Sequence, residues 1–94
     1  MVTYIENNVL LEAIKKFGAE AQEKVAIEEC AELIQAITHK HRGRDHNIAE
    51  EIADVEIMLK QLKIINNCSN EVKLIHKQKI DRLFKRIYLR SDTK

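Results

Sequence analysis

Two stretches of this 94-residue sequence gather acidic side chains at helical spacing, Glu28-Glu29-Cys30-Ala31-Glu32 and Glu50-Glu51-Ile52-Ala53-Asp54. Each contains a carboxylate pair at i, i+3: Glu29 with Glu32, and Glu51 with Asp54. At about 100° per residue, the members of such a pair project from one helix face, one turn apart. Core-type residues flank both pairs, Ala31 and Ile34 in the first and Ile52 and Val55 in the second, so the carboxylates lie beside a packed seam. Four carboxylates gathered there repel one another and either hold protons or demand a cation. The donors are all hard oxygens, which suits Mg²⁺ or Mn²⁺ rather than zinc. Mg²⁺ on protein carboxylates keeps waters and reaches the phosphate oxygens of a substrate, which points to phosphoryl-type chemistry. One pair alone would read as a solvated helix face in a chain that is 33% charged. Two pairs on consecutive helices, each preceded by a further Glu, favour the metal.

Other metal chemistries fit less well. A di-iron carboxylate bundle needs Glu-x-x-His on two helices, and that spacing is absent from the sequence. His39, His41 and His46 fall in or beside a polar loop with irregular spacing. Cys30 and Cys68 are far apart with no C-x-x-C, which argues for two reduced thiols rather than a disulfide framework or a zinc knuckle.

The elements that must carry these residues are helices. Proline is absent and the two glycines, Gly18 and Gly43, are placed to end helices at positive φ. The first helix is expected over about 4–17, with Ile5, Val9, Leu10, Ala13, Ile14 and Phe17 on one face. The second covers about 19–40, with a stripe of Ile27, Ala31, Ile34 and Ile37 widened by Cys30 and Leu33. A polar loop over 38–47 makes helices two and three antiparallel neighbours, which can set the two acidic pairs face to face. The third covers about 48–66, with a seam of Ile48, Ile52, Val55, Leu59 and Leu62. The fourth covers about 70–89, with Ser69 as its N-cap and Val72, Ile75 or His76, Ile80, Leu83, Phe84 and Ile87 turned inward. Strand alternation is found nowhere, so the expectation is an all-α, four-helix domain over 1–94. Ile57, Met58, Ile64 and Ile65 on helix three and Leu74, Tyr88 and Leu89 on helix four exceed what one small core can use. The bundle is therefore expected to be completed by self-association, to a dimer or a tetramer.

An apolar content of 45% with interspersed charge excludes a disordered or collagen-like chain. The longest apolar runs fall far short of the ~20 residues that cross a bilayer, and the first ten residues lack a signal-peptide layout. A soluble, cytoplasmic protein is expected, with no membrane partner. The net charge of +1 hides an asymmetry. Residues 1–70 hold eight Lys and Arg against twelve Asp and Glu, a net of −4, whereas 71–94 hold eight against three, a net of +5. The basic segment holds only one aromatic pair, Phe84 and Tyr88, and no helix-turn-helix spacing, which argues against nucleic acid as its partner. A phosphate ligand accounts for it equally well. Lys40 and Arg42 with Arg44 after helix two, or Lys79 and Arg82 with Lys85 on helix four, are the candidate phosphate contacts. Of the four aromatics, Phe17 and Phe84 sit on apolar stripes as core residues, and Tyr4 is a candidate to stack on a base.

The paired motif Glu28-Glu29-x-x-Glu32 and Glu51-x-x-Asp54, with its surroundings Ala26 to Ala36 and Ile48 to Leu59, resembles the all-α nucleoside triphosphate pyrophosphohydrolases of the MazG-like superfamily. It resembles the small single-domain members frequent in phages and bacteria, and the likeness runs from about Val9 to Ile87. What the resemblance implies is Mg²⁺-dependent hydrolysis of a nucleoside triphosphate between its α and β phosphates. Carried over, Glu29, Glu32, Glu51 and Asp54 would hold the metal, and Glu28 or Glu50 would orient or deprotonate the attacking water. Self-association is implied as well. A phosphoribosyl-ATP pyrophosphatase is the nearest enzymatic alternative, carried by the faint likeness of Lys15 to Ala21 to that enzyme's first helix. A helical module that binds nucleic acid or protein without catalysis is the alternative outside enzymes.

Overall fold

The computed structural model describes residues 2–89, with side chains over 5–89. Four helices follow one another: α1 (Val2–Phe17), α2 (Ala19–His41), α3 (Ile48–Ile65) and α4 (Ser69–Tyr88), with no strand among the described residues. The fold is all-α, as the periodicity requires, and each boundary lies within two residues of its expected place. Among the described residues no helix is long and apolar enough to cross a membrane.

The helix ends follow from local chemistry. Gly18 has φ 93° and separates α1 from α2 by itself, its N–H bonded to Ile14 O and its carbonyl accepting from Gln22 N. At the end of α2, Gly43 has φ 72°, and the bonds Arg44 N to His39 O and Gly43 N to Lys40 O form a Schellman motif. Asn67 serves the same purpose after α3, at φ 51°, with Cys68 N bonded to Lys63 O and Asn67 N to Ile64 O. That motif corrects the expected cap of α4. Cys68 donates back to α3 while its carbonyl accepts from Val72 N, so Cys68 is the N-cap and Ser69 is already the first helical residue.

α2 and α3 make the main packing pair, and α1 lies against both. The faces they use differ from the apolar stripes of the sequence. Gln22, Ala26 and Ala36 of α2 and Glu51, Met58 and Gln61 of α3 are buried, whereas Ile27 and Ile34 remain 69% and 65% exposed and Ile52 and Leu59 are exposed as well. Each helix is turned by about 100°, one residue's step, so that α3 presents its carboxylate face, not its apolar seam, toward α2. Small Ala26 and Ala36 let the helices approach closely. Met58, expected on an outer surface, is instead part of this core.

α4 contacts only the end of α3 and has no buried side chain. Its expected inward stripe is exposed along its length, Phe84 included, and Phe17 at the end of α1 is 59% exposed rather than buried. The chain is accordingly extended, with a radius of gyration of 17.0 Å against about 12 Å for a compact chain of this length.

Candidate metal centre

The pairing of α2 with α3 brings three of the sequence-derived ligands together. Glu29 from α2 and Glu51 and Asp54 from α3 each place a carboxylate oxygen so that all three lie within 4.8 Å of one another. Glu51 is buried, at 8% exposure, and Glu29 and Asp54 are half-buried. Among the described residues this is the one such group of acidic, His or Cys side chains, and it includes none of the loop histidines.

Two buried oxygens in the group, Glu29 Oε1 and Glu51 Oε1, have no hydrogen-bond partner. A buried acceptor left unpaired costs on the order of 1–3 kcal/mol, more when charged. Burial pushes the Glu29 carboxyl above its ordinary range, and the charges of Glu32, Asp54 and Glu51 push it further in the same direction. Unpaired, converging, mutually repelling hard oxygens are what a divalent cation of the Mg²⁺ type relieves. The residues present therefore fit such an ion.

The remaining sequence candidates surround this group. Glu32, one turn beyond Glu29, is exposed yet close enough for its charge to act on Glu29. Glu28 and Glu50 are exposed on α2 and α3, outside the three-oxygen group. Lys40 lies in the last turn of α2 and Arg42 is its C-cap, both exposed. Lys79 and Arg82 are exposed on α4. The side chain of Tyr4 lies outside the described residues.

Sequence reasoning missed Asn47. At the N-cap of α3, its carbonyl accepts from Glu51 N, but its side chain makes no cap bond to the helix backbone. Its Nδ2 donates instead to Glu51 Oε2 at 2.8 Å, which fixes the carboxylate, while Oε1 is buried without a partner. The available signal was an Asn at a helix start four residues before an acidic candidate, a spacing that sets both side chains on one face. Asn47→Ala should weaken Mn²⁺ binding by about 10–100-fold, as losses of outer-sphere partners commonly do, with helicity retained. Equal Mn²⁺ affinity by calorimetry would reduce Asn47 to a helix-start residue.

A family model for the MazG nucleotide pyrophosphohydrolase domain matches residues 17–92. No curated protein and no solved structure matches the chain.

Proposed function

The chain belongs to the MazG nucleotide pyrophosphohydrolase family, and from that premise we propose that it hydrolyses a ribo- or deoxyribonucleoside triphosphate with Mg²⁺, or Mn²⁺ in its place. Water attacks at the α phosphorus, the bond to the bridging oxygen breaks, and the monophosphate and pyrophosphate leave. The observation that carries the reading is the convergence of Glu29, Glu51 and Asp54, two of which also carry a buried oxygen without a partner.

Glu29, Glu51 and Asp54, with Glu32 from the next turn, would hold the cation. A bound Mg²⁺ supplies Lewis acidity to phosphate oxygens and lowers the pKa of a water. Asn47 holds the Glu51 carboxylate in orientation through its 2.8 Å bond. Glu28 and Glu50, each one residue from a ligand, are proposed to orient the attacking water or take its proton. Lys40 and Arg42, or Lys79 and Arg82, are proposed to bind the outer phosphates. Pyrophosphate release from a panel of NTPs and dNTPs with Mg²⁺ or Mn²⁺, with phosphoribosyl-ATP alongside, tests the reading. Hydrolysis of phosphoribosyl-ATP alone would move the assignment to that neighbouring activity. DNA binding that survives Glu29→Ala and Asp54→Ala, without hydrolysis, would favour the binding module.

Self-association belongs to the same proposal. The stripe of α2 and Leu62 of α3 line one open, largely apolar groove that includes Ile27, Ala31 and Ile34, and α4 exposes a second apolar face. A second copy covers both at once, giving a dimer or, by repetition, a tetramer. The pairing would also let Arg82 of one copy reach the acidic site of another. Sedimentation at micromolar concentration should show an oligomer, and mixing Asp54→Ala with Arg82→Ala subunits should restore about a quarter of the native activity, the share of correctly paired sites in a random mixture. A monomer that still hydrolyses nucleotides would end the interface, and a stable mixed dimer without activity would end the shared site alone.

A further inference from the structure

We propose that Gln22 and Gln61 are a positioning pair: their hydrogen bond fixes the register of α2 against α3 and so holds Glu29 opposite Glu51 and Asp54. The effect of the pair on hydrolysis rests on the reading above, whereas its effect on register does not. Gln22 Nε2 donates to Gln61 Oε1 at 2.6 Å, and the two residues are 8% and 3% exposed. Among the described residues no other side-chain hydrogen bond or ion pair joins α2 to α3.

The bond and the acidic group share one alignment. Glu29 follows Gln22 by seven residues, and Asp54 precedes Gln61 by seven. As one helix advances the other runs back by the same number, which is the relation of antiparallel neighbours. Seven residues are two turns less about 20°, with a rise of about 10 Å, so each Gln lies on the same face as the carboxylate of its own helix. Ala26 and Met58, both buried, stand at the level between. The loop over 42–47 ties the two helices at one end and the Gln bond ties them at the other, with the acidic group between the two ties.

Apolar packing does not set that alignment by itself. It is non-directional, and a slide of one turn, about 5.4 Å, exchanges one apolar neighbour for another. The same slide takes Glu51 and Asp54 out of the 4.8 Å group they form with Glu29. With the Gln pair in the seam, the slide leaves two amides buried without each other. A buried polar group deprived of its partner costs more than the bond itself contributes, so the pair penalises every alignment but the one that assembles the carboxylates. Single buried polar residues select one register in paired helices by the same means, at some cost in stability.

Gln22→Met with Gln61→Met replaces both amides at similar volume, so the metal-free melting temperature should stay level or rise. Mn²⁺ affinity by calorimetry should nonetheless fall about tenfold, and triphosphate hydrolysis on the order of 100-fold, the loss that a misplacement of about 1 Å produces. Gln61→Glu, whose carboxyl oxygen still accepts from Gln22, should keep its Mn²⁺ affinity close to native, whereas Gln61→Met should not. Native affinity and hydrolysis in a folded double variant would overturn the proposal. Equal Mn²⁺ affinities in Gln61→Glu and Gln61→Met would overturn it as well, and that comparison decides if the double variant fails to fold. If the native chain binds no Mn²⁺, the metal reading fails by itself and the register is measured directly. Nitroxide labels at Lys24→Cys and Glu56→Cys, both exposed positions, are placed on a Cys30→Ser, Cys68→Ser background and diluted with unlabelled chain. Electron spin measurements should give one narrow α2–α3 distance with Gln22 and Gln61 present and a broad distribution with both replaced by Met. A distribution that stays narrow and unshifted would refute the register lock.

Discussion

Asp54→Ala should lower nucleoside triphosphate hydrolysis on the order of 10³-fold or more, because a metal-supported step loses several kcal/mol of charge stabilisation when its ion is no longer held. Asp54 supplies one of three converging oxygens, and it comes from the same helix turn as Glu51. Its half-buried side chain belongs to no hydrogen-bond pair or ion pair among the described residues, so the substitution removes a ligand without opening a core. Circular dichroism should remain helical. Glu32→Ala should produce a loss of similar kind if the exposed Glu32 carboxylate swings in to complete the set. Full activity in both variants would reject the carboxylate centre, while full activity in Glu32→Ala alone would leave three protein ligands and more water.

The second large effect is on stability and is opposite in sign to that of a salt-bridged carboxylate, whose pKa folding depresses. Burial and the neighbouring charges of Glu32, Asp54 and Glu51 raise the Glu29 pKa in the folded chain. For an acid whose folded pKa lies above its unfolded value, the stabilising contribution is complete below the unfolded value of about 4.3. It is lost as pH rises through the folded pKa, because the unfolded state then releases its proton more readily. The metal-free protein should therefore be more stable near pH 5 than at pH 7.5 by comparison with Glu29→Gln, whose melting temperature lacks this component. At pH 7.5 without metal, Glu29→Gln should melt above the native chain. Addition of Mg²⁺ at about 100 times its Kd should raise the native melting temperature by roughly 10 °C or more, since such saturation stabilises by about 2.7 kcal/mol and a small domain gains several degrees per kcal/mol. Glu29→Gln should gain much less. Thermal melts of both proteins at the two pH values, with and without Mg²⁺, measure all of this. Equal pH dependence in the two would show that Glu29 carries no strain of charge, and an unmoved native melting temperature in Mg²⁺ would show that the oxygens hold no cation.

What the sequence by itself determined is what a few neighbouring residues can determine. Gly18, Gly43 and the Asn66–Asn70 turn end helices because positive φ is a local demand that Gly and Asn meet. The helix count follows from apolar spacing without proline, and the Glu29 to Glu32 and Glu51 to Asp54 pairs follow from the helical repeat. Which face of each helix would turn inward was not legible, because two adjacent stripes on α2 and on α3 were both continuous. The apolar seam through Ile52 and Leu59 was the more regular, yet the buried face runs through Glu51, Met58 and Gln61. Tertiary packing made that choice: the small residues Ala26 and Ala36 of α2 are buried on that side, and α1 closes against the same pair of helices. The turn of about 100° is what buries Glu51 and strands two carboxylate oxygens. The same turn leaves the larger apolar surfaces, the α2 stripe and the whole of α4, facing outward. Periodicity states that a helix has an apolar face, but the neighbour that covers it is a property of the assembled chain.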